Sequence, residues 1–198
     1  MPCLPVSLPS MEDPETLTLE TERLRLRPIR LSDFDDYADL CADPEVSRHL
    51  GRGTFSREQA WRHLAFLVGH RHFLGYGMWV VEERETGAFL GMIGFANPEG
   101  WPGFELAWCL GRLWWGRGYA TEGARAALAY AFTVLKKDRV ISLIPPANLA
   151  SIRVAERLGE SLQGRTEIQG MELLVYGIDR PDSPSRCAST RSGKASRS

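Results

Sequence analysis

Trp114-Trp115-Gly116-Arg117-Gly118-Tyr119-Ala120-Thr121 is a glycine-rich turn lying between an apolar strand pattern and an alanine-rich helix pattern. The first N–H groups of a helix have no partner within it. A turn without bulky side chains at the helix mouth therefore aims several donors at one spot, and that spot favours an anion. Gly116 and Gly118 can adopt positive φ and let a ligand approach the backbone closely, which suits a pyrophosphate better than a carboxylate side chain. An ordinary strand-to-helix turn uses glycines of the same kind, so the surroundings must choose between the two.

Upstream, Phe104, Leu106, Trp108 and Leu110 alternate with Glu105, Ala107 and Cys109, so one strand face is wholly apolar and the other carries a single carboxylate. A carboxylate flanked by small residues in such a strand loses hydration, which raises its pKa toward the range of a useful general base. Pairing with an arginine, or a wet sheet edge, is the alternative for Glu105. Downstream, Ala120, Ala124, Ala127, Leu128, Ala131 and Leu135 form a stripe whose small residues let a helix pack close to a sheet. Residues 139–144 read as a buried strand stopped by Pro145-Pro146, and 148–158 as a short helix ended by Gly159.

Toward the N-terminus, the alternation Leu24-Arg25-Leu26-Arg27 predicts one strand over 18–29 with a single buried face. Ser32 reads as an N-cap, with Asp33, Asp35 and Asp36 in the first turn and Phe34, Tyr37, Ala38 and Cys41 at helical spacing. Asp43-Pro44 breaks that helix. After the loop Gly51-Arg52-Gly53, the capping box Ser56-Arg57-Glu58-Gln59 opens a second helix expected to turn Trp61, Leu64, Ala65 and Val68 inward. Strands at 78–81 and 89–95 form a hairpin through Thr86-Gly87, a Pro- and Gly-rich loop occupies 97–103, and two last strands lie near 162–168 and 172–178. This order predicts a mixed α/β fold of α+β type, parallel where the strands at 104–110 and 139–144 flank the helix that opens at the glycine turn. Residues 1–16, with Pro2, Pro5, Pro9 and Pro14, and the Ser- and Arg-rich residues 181–198 are expected to be a disordered arm and tail, leaving one domain at 17–180.

The balance of 24 basic against 25 acidic residues gives no global basic field, so neither nucleic acid nor a membrane surface is an expected partner. Cys3, Cys41, Cys109 and Cys187 show neither paired nor metal-ligand spacing, and His49, His63, His70 and His72 are scattered, so no metal is expected. No apolar run approaches the ~18 residues needed to span a bilayer and no secretory signal is visible, which predicts a cytoplasmic protein.

Three ligands compete for the turn. A P-loop needs Gly-Lys-Ser or Gly-Lys-Thr, whereas Gly118 is followed by Tyr119-Ala120. A dinucleotide turn fits Gly116-x-Gly118, but Thr121 replaces the third glycine and the following strand ends without a ribose-binding acid. The third ligand is the pyrophosphate of coenzyme A. Here Trp115-Gly116-Arg117-Gly118-Tyr119-Ala120 resembles the acetyl-CoA loop of the GCN5-related N-acetyltransferases (GNAT), Arg or Gln, two residues, Gly, one residue, then Gly or Ala. Gly118 and Ala120 match its last positions and Trp115 replaces the first. Tryptophan before Gly, a basic residue, Gly and Tyr is similar to the RimJ/RimL branch, and the block from Asn148 to Gly159 resembles that branch's Asn-x-x-Ser helix ending in Leu-Gly. Glu160 stands where an aromatic is usual. The opening Thr21-Glu22-Arg23-Leu24-Arg25-Leu26-Arg27 and the strand order agree as well.

The resemblance implies a GNAT fold, a mostly antiparallel sheet of about six or seven strands splayed at one parallel pair and flanked by about four helices. It implies direct transfer of the acetyl group of acetyl-CoA, as cosubstrate, to a primary amine on a protein N-terminus or a small molecule, without a metal, and it admits a homodimer. Carried over by position, the backbone of Gly116, Arg117, Gly118, Tyr119, Ala120 and Thr121 holds the pyrophosphate. Trp108, Cys109 and Leu110 pair with the amide-bearing pantetheine arm, and Asn148 contacts the cosubstrate near its reactive end. Arg112, Arg117 and Arg153 are candidate phosphate partners. Glu105 is the candidate base and Ser151 the candidate acid for the leaving thiolate, with capping or packing as the alternative role of Ser151. Because the family transfers acetyl directly, Cys109 is expected to be a small buried thiol rather than a nucleophile. A non-catalytic acyl-CoA-binding module of the same fold is the competing reading.

Overall fold

The computed structural model describes residues 17–50 and 53–181. The expected arm at 1–16, the tail from 182 onward, and Gly51 and Arg52 of the loop lie outside the described residues. The segment expected to be one strand is two, β1 (Leu19–Glu20) and β2 (Leu24–Arg27), paired antiparallel. Between them the Thr21 hydroxyl accepts from the Leu24 N–H at 2.9 Å and folds the chain back, a turn that the uninterrupted alternation concealed. Leu24 and Leu26 are fully buried, as that alternation requires.

Ser32 does not cap a helix. It sits inside a short 3-10 turn, Leu31–Asp33, whose Asp33 is buried. The Arg27 guanidinium donates to both Asp33 oxygens at 2.7 and 2.8 Å and lies 2.6 Å from Glu82. Those two carboxylates raise the Arg27 pKa further above its ordinary value. The partnership runs between strands, so local spacing could not show it. Helix α1 (Phe34–Ala42) ends at Asp43-Pro44 as expected, but Asp43 at once accepts from the Glu45 N–H at 2.8 Å and caps a further helix, α2 (Pro44–His49).

The Ser56–Gln59 capping box is present at the start of α3 (Arg57–Leu74). Its buried face differs from the expected one: Ala60, Leu64, Leu67, His70 and Arg71 point inward, whereas Trp61 and Val68 are 48% and 47% exposed and Ala65 is exposed. Two polar side chains belong to the inner stripe, which hydropathy cannot anticipate. Arg71 stacks over the Trp79 ring and donates to the Met78 carbonyl at 3.0 Å, while Trp61 packs edge-on against Phe34 at the rim.

The chain continues through β3 (Met78–Glu83), β4 (Phe89–Ala96), β5 (Glu105–Leu110), α4 (Tyr119–Thr133), β6 (Arg139–Ile144), α5 (Leu149–Leu158), β7 (Ser161–Ile168) and β8 (Met171–Asp179). The strands form one sheet in the order β1-β2-β3-β4-β5-β6-β8-β7. Every neighbouring pair is antiparallel except β5 and β6, which are parallel and share a single register pair, Glu105 with Ile141. This is the expected mixed fold, with an extra strand from the division at Thr21 and an extra helix from the cap at Asp43.

Both sheet faces are covered. The small residues Ala124, Ala127 and Ala131 of α4 lie against Ile93, Phe95 and Leu106 on one face, and α1 and α3 cover Val80 and Met92 on the other. At Gly123 the α4 backbone comes so close that a Cβ would stand 2.6 Å from the Ile93 Cδ1. Beyond the Glu105–Ile141 contact, β5 and β6 part. The Ser142 hydroxyl of β6 still reaches the Leu106 carbonyl at 2.9 Å, a side-chain bond where a ladder bond would otherwise lie.

Candidate active site

The opening between β5 and β6 leaves an edge of β5 on which the site is built. The Phe104 and Leu106 carbonyls are taken from the β6 side, by the Ile141 N–H and the Ser142 hydroxyl, and the Gly111 N–H donates to Leu90 on the β4 side. Backbone groups alternate sides along a strand, so the Trp108 and Leu110 amides face the opening and the Cys109 amide faces β4. The three residues expected to share one role thus divide, because adjacent residues of a strand cannot present their amides to the same edge. The Leu110 carbonyl accepts from the Trp115 indole N–H at 2.7 Å, tying the glycine turn back to the strand.

Gly116 and Gly118 have φ of 74° and 82°, in the region where a side chain is strained. Gly118 is the N-cap of α4 and no side chain caps it, so the first amides of the helix point into the adjacent cavity. The turn is held from outside. The Arg23 guanidinium lies 2.6 Å from the Glu122 carboxylate, donates to the Arg117 carbonyl at 3.1 Å and stacks over the Tyr119 ring. The Tyr119 hydroxyl donates to Glu83 at 2.6 Å. Sequence reasoning assigned Arg23, Glu83 and Glu122 no role. Arg23 stood in a matched motif, but its partner Glu122 is 99 residues away.

A cavity of about 840 Å³ runs from this turn, lined there by Gly116, Gly118, Tyr119, Ala120 and Thr121. Arg23, beside the turn, and Arg125, Arg153 and Arg157 also line it, as do Trp108, Cys109, Asn148 and Ser151. Of the three arginines expected to meet phosphate, Arg153 lies here. The Arg117 side chain stacks over Trp114 instead, leaving that residue to contribute backbone, and Arg112 reaches toward Asp43 at 3.8 Å.

A second cavity, of about 660 Å³, shares Leu50, Trp108, Cys109, Asn148 and Ser151 with the first and contains Glu105. Glu105 is buried, receives the Trp101 indole N–H at 2.6 Å and the Leu143 backbone N–H, and burial pushes its pKa up to about 7. Desolvation is the expected cause, and an indole rather than an arginine is the partner. Ser151 accepts from the Trp108 indole N–H at 3.1 Å, and its own N–H donates to the Asn148 side-chain oxygen at 3.0 Å. Asn148 therefore caps α5, while the Ser151 hydroxyl, not part of that cap, lies where the cavities meet.

Glu160 fills the buried position after Gly159. One of its oxygens lies 3.0 Å from the Ser142 hydroxyl, and the other has no hydrogen-bond partner among the described residues. Burial pushes its pKa up to about 7, and repulsion from Glu105 adds to the rise. A protonated Glu160 resolves the bonding: it donates to Ser142, whose single proton then goes to the Leu106 carbonyl. Among the described residues no group of three His, Cys, Asp or Glu side chains is placed to hold a metal ion.

An uncapped helix N-terminus with an arginine rim suits the phosphates of a long cosubstrate, and an opened strand edge suits an amide-bearing arm. A buried carboxylate lies at the far end, where its raised pKa suits a general base. The sequence comparisons agree. Residues 23–160 match the Acetyltransferase (GNAT) domain family. YkkB of Bacillus subtilis (strain 168) is 36% identical over 144 residues, covering 71% of this chain and 83% of that protein. The N-acetyltransferase p20 of Bacillus licheniformis is 30% identical over 149 residues, covering 74% and 84%. The crystal structure of an acetyltransferase from Agrobacterium tumefaciens str. C58 superposes with a TM-score of 0.75 at 34% identity, over 90% of this chain and 98% of that one. The chain belongs to the GNAT acetyltransferase family and is an acetyl-CoA-dependent acyltransferase.

Proposed function

We propose that the enzyme transfers the acetyl group of acetyl-CoA directly to a primary amine, with Glu105 as general base and Ser151 as general acid. The observation that carries this reading is the junction of the two cavities at Trp108, Cys109, Asn148 and Ser151, with the glycine turn at one end and Glu105 at the other. In this reading the amides of Gly116 to Thr121 hold the pyrophosphate, the Trp108 and Leu110 backbone pairs with the pantetheine arm, and Asn148 sits by its reactive end. Acetyl-CoA supplies the activated acetyl thioester.

An α-amino group has a reference pKa of ~7.7–8.0 and a lysine amine ~10.4, so an amine acceptor arrives protonated and needs a base. A Glu105 carboxylate that ionises near 7 is matched to that task. The Trp108 N–H faces the opening and is a donor for the developing oxyanion. Ser151 accepts its bond from Trp108 through a lone pair and keeps its own proton to give to the departing thiolate. Cys109 lines both cavities, and direct transfer gives its thiol no covalent role. The Trp115 turn and the Asn148-to-Gly159 block support placement nearest the RimJ/RimL branch. Among the described residues no helix is long and apolar enough to cross a membrane.

The test is release of free thiol from acetyl-CoA across a panel of amines. Glu105→Gln is expected to lower the transfer rate well over tenfold with little change in CoA affinity; an unchanged rate removes Glu105 from the base role. Binding of CoA without thiol release for any amine favours the non-catalytic module.

A further inference from the structure

The cavity that holds Glu105 carries a charge pattern that selects among amines. Its walls come from both sides of the sheet opening. Tyr37, Phe55, His63 and Phe66 form an aromatic wall, with the His63 ring stacked on Tyr37 and met edge-on by Phe55. Met78 and Met92 floor it, and Ile168, Met171 and Leu173 close it from β7 and β8. None of the described residues lining it is lysine or arginine, and the acidic ones are Glu99 and Glu105.

We propose that the acceptor is a small primary amine whose body is apolar or aromatic and which carries no second charge. The inference rests on the acetyl-transfer reading and deepens it. An acceptor bearing a carboxylate or phosphate would bury that anion with no lysine or arginine of the described lining to meet it, and His63 already shares a hydrogen bond with the Tyr37 hydroxyl. A polyamine or an aminoglycoside brings several ammonium groups. Glu105 is committed to the reacting nitrogen, which leaves Glu99 alone to pair with the others. A peptide N-terminus brings a row of backbone amides, each needing a partner, into walls made mainly of rings, methionines and aliphatic side chains. An apolar amine meets none of these penalties. Its body fills the aromatic wall while its nitrogen stays beside Glu105, and methionines let the floor adapt to its outline. The volume of about 660 Å³ suits a small-molecule pocket.

The experiment uses the full chain and acetyl-CoA, with thiol release followed for ethylamine, hexylamine, 2-phenylethylamine, phenylalanine, spermidine, kanamycin and a peptide with a free alanine N-terminus. The expected result is a kcat/KM for hexylamine and 2-phenylethylamine at least tenfold above every other acceptor, and a KM for 2-phenylethylamine that rises at least fivefold in Phe55→Ala. Spermidine, kanamycin, phenylalanine or the peptide reacting as well as 2-phenylethylamine overturns the inference and leaves the transfer reading standing. Ethylamine matching 2-phenylethylamine does the same. CoA raising the melting temperature while no amine releases thiol overturns the transfer reading, and the inference with it.

Discussion

Glu105 lines the second cavity and Glu160 is bonded to the Ser142 hydroxyl, and burial pushes both pKa values up with different consequences. For Glu105 the shift bears on rate. In the proposed mechanism the base must be ionised, so kcat/KM for an amine is expected to rise as pH climbs through about 7, and that limb is expected to vanish in Glu105→Gln; a profile that keeps it assigns the ionisation elsewhere. For Glu160 the shift bears on stability. The folded state keeps the proton between the usual 4.5 and about 7 while the unfolded chain has lost it, so folding stability is greatest below that window and falls as pH rises through it. Glu160→Gln, which imitates the protonated acid, is expected to match the parent at pH 4 and exceed it at pH 8 by about 3 kcal/mol in denaturant unfolding, since one pKa unit is worth ~1.4 kcal/mol. A variant less stable at pH 8 contradicts the upward shift of Glu160. Glu105 was legible in sequence because its strand neighbours made a lone carboxylate conspicuous. Glu160 was visible as a departure from a pattern, but its burial beside Ser142 comes from a strand crossing that no local window contains.

Several elements with local signals succeed here, although the cap expected at Ser32 does not. The capping box at Ser56, the stop at Pro145-Pro146, the Gly159 terminus with φ of 91° and the alanine stripe of α4 all stand as the sequence places them. The inner face of α3 does not, because His70 and Arg71 are buried by contacts with other elements: His70 accepts from the Asn97 N–H at 3.1 Å and Arg71 sits on Trp79. Close approach of α4 to β4 gives a direct test. Gly123→Val is expected to destabilise the fold by about 1–3 kcal/mol, because Ile93 is fully buried and has nowhere to retreat; a neutral result in thermal or denaturant unfolding would show that the helix can lift off the sheet. At the turn, Arg23→Met is expected to raise the KM for acetyl-CoA several-fold while leaving the KM for the amine in place, since Arg23 links the Arg117 carbonyl to α4 and lies away from the Glu105 cavity.

At the scale of the molecule, the cavity proposed for the cosubstrate is lined by arginines from β2's leading turn, α4 and α5. CoA is therefore expected to raise the melting temperature, by ~2.7 kcal/mol of added stability at a hundredfold excess over Kd. Its affinity is expected to fall as ionic strength rises, because partly exposed arginines are screened. NAD(P) shifting the melting temperature while CoA does not contradicts the cavity's assignment. The sequence by itself determined the strand and helix order from α3 onward, the single carboxylate of β5, the positive-φ glycines and the helix mouth they open, because each is set by local periodicity or by conformations that only glycine adopts cheaply. Only the tertiary structure decided that Trp108 and Leu110, and not Cys109, face the opening, that Arg23 holds the turn, that Glu160 lies buried near Glu105, and that an aromatic cavity meets the cavity of the glycine turn at Ser151. Those facts depend on which distant strands and helices pack together, and burial and hydrogen bonding across such contacts have no signature in the spacing of neighbouring residues.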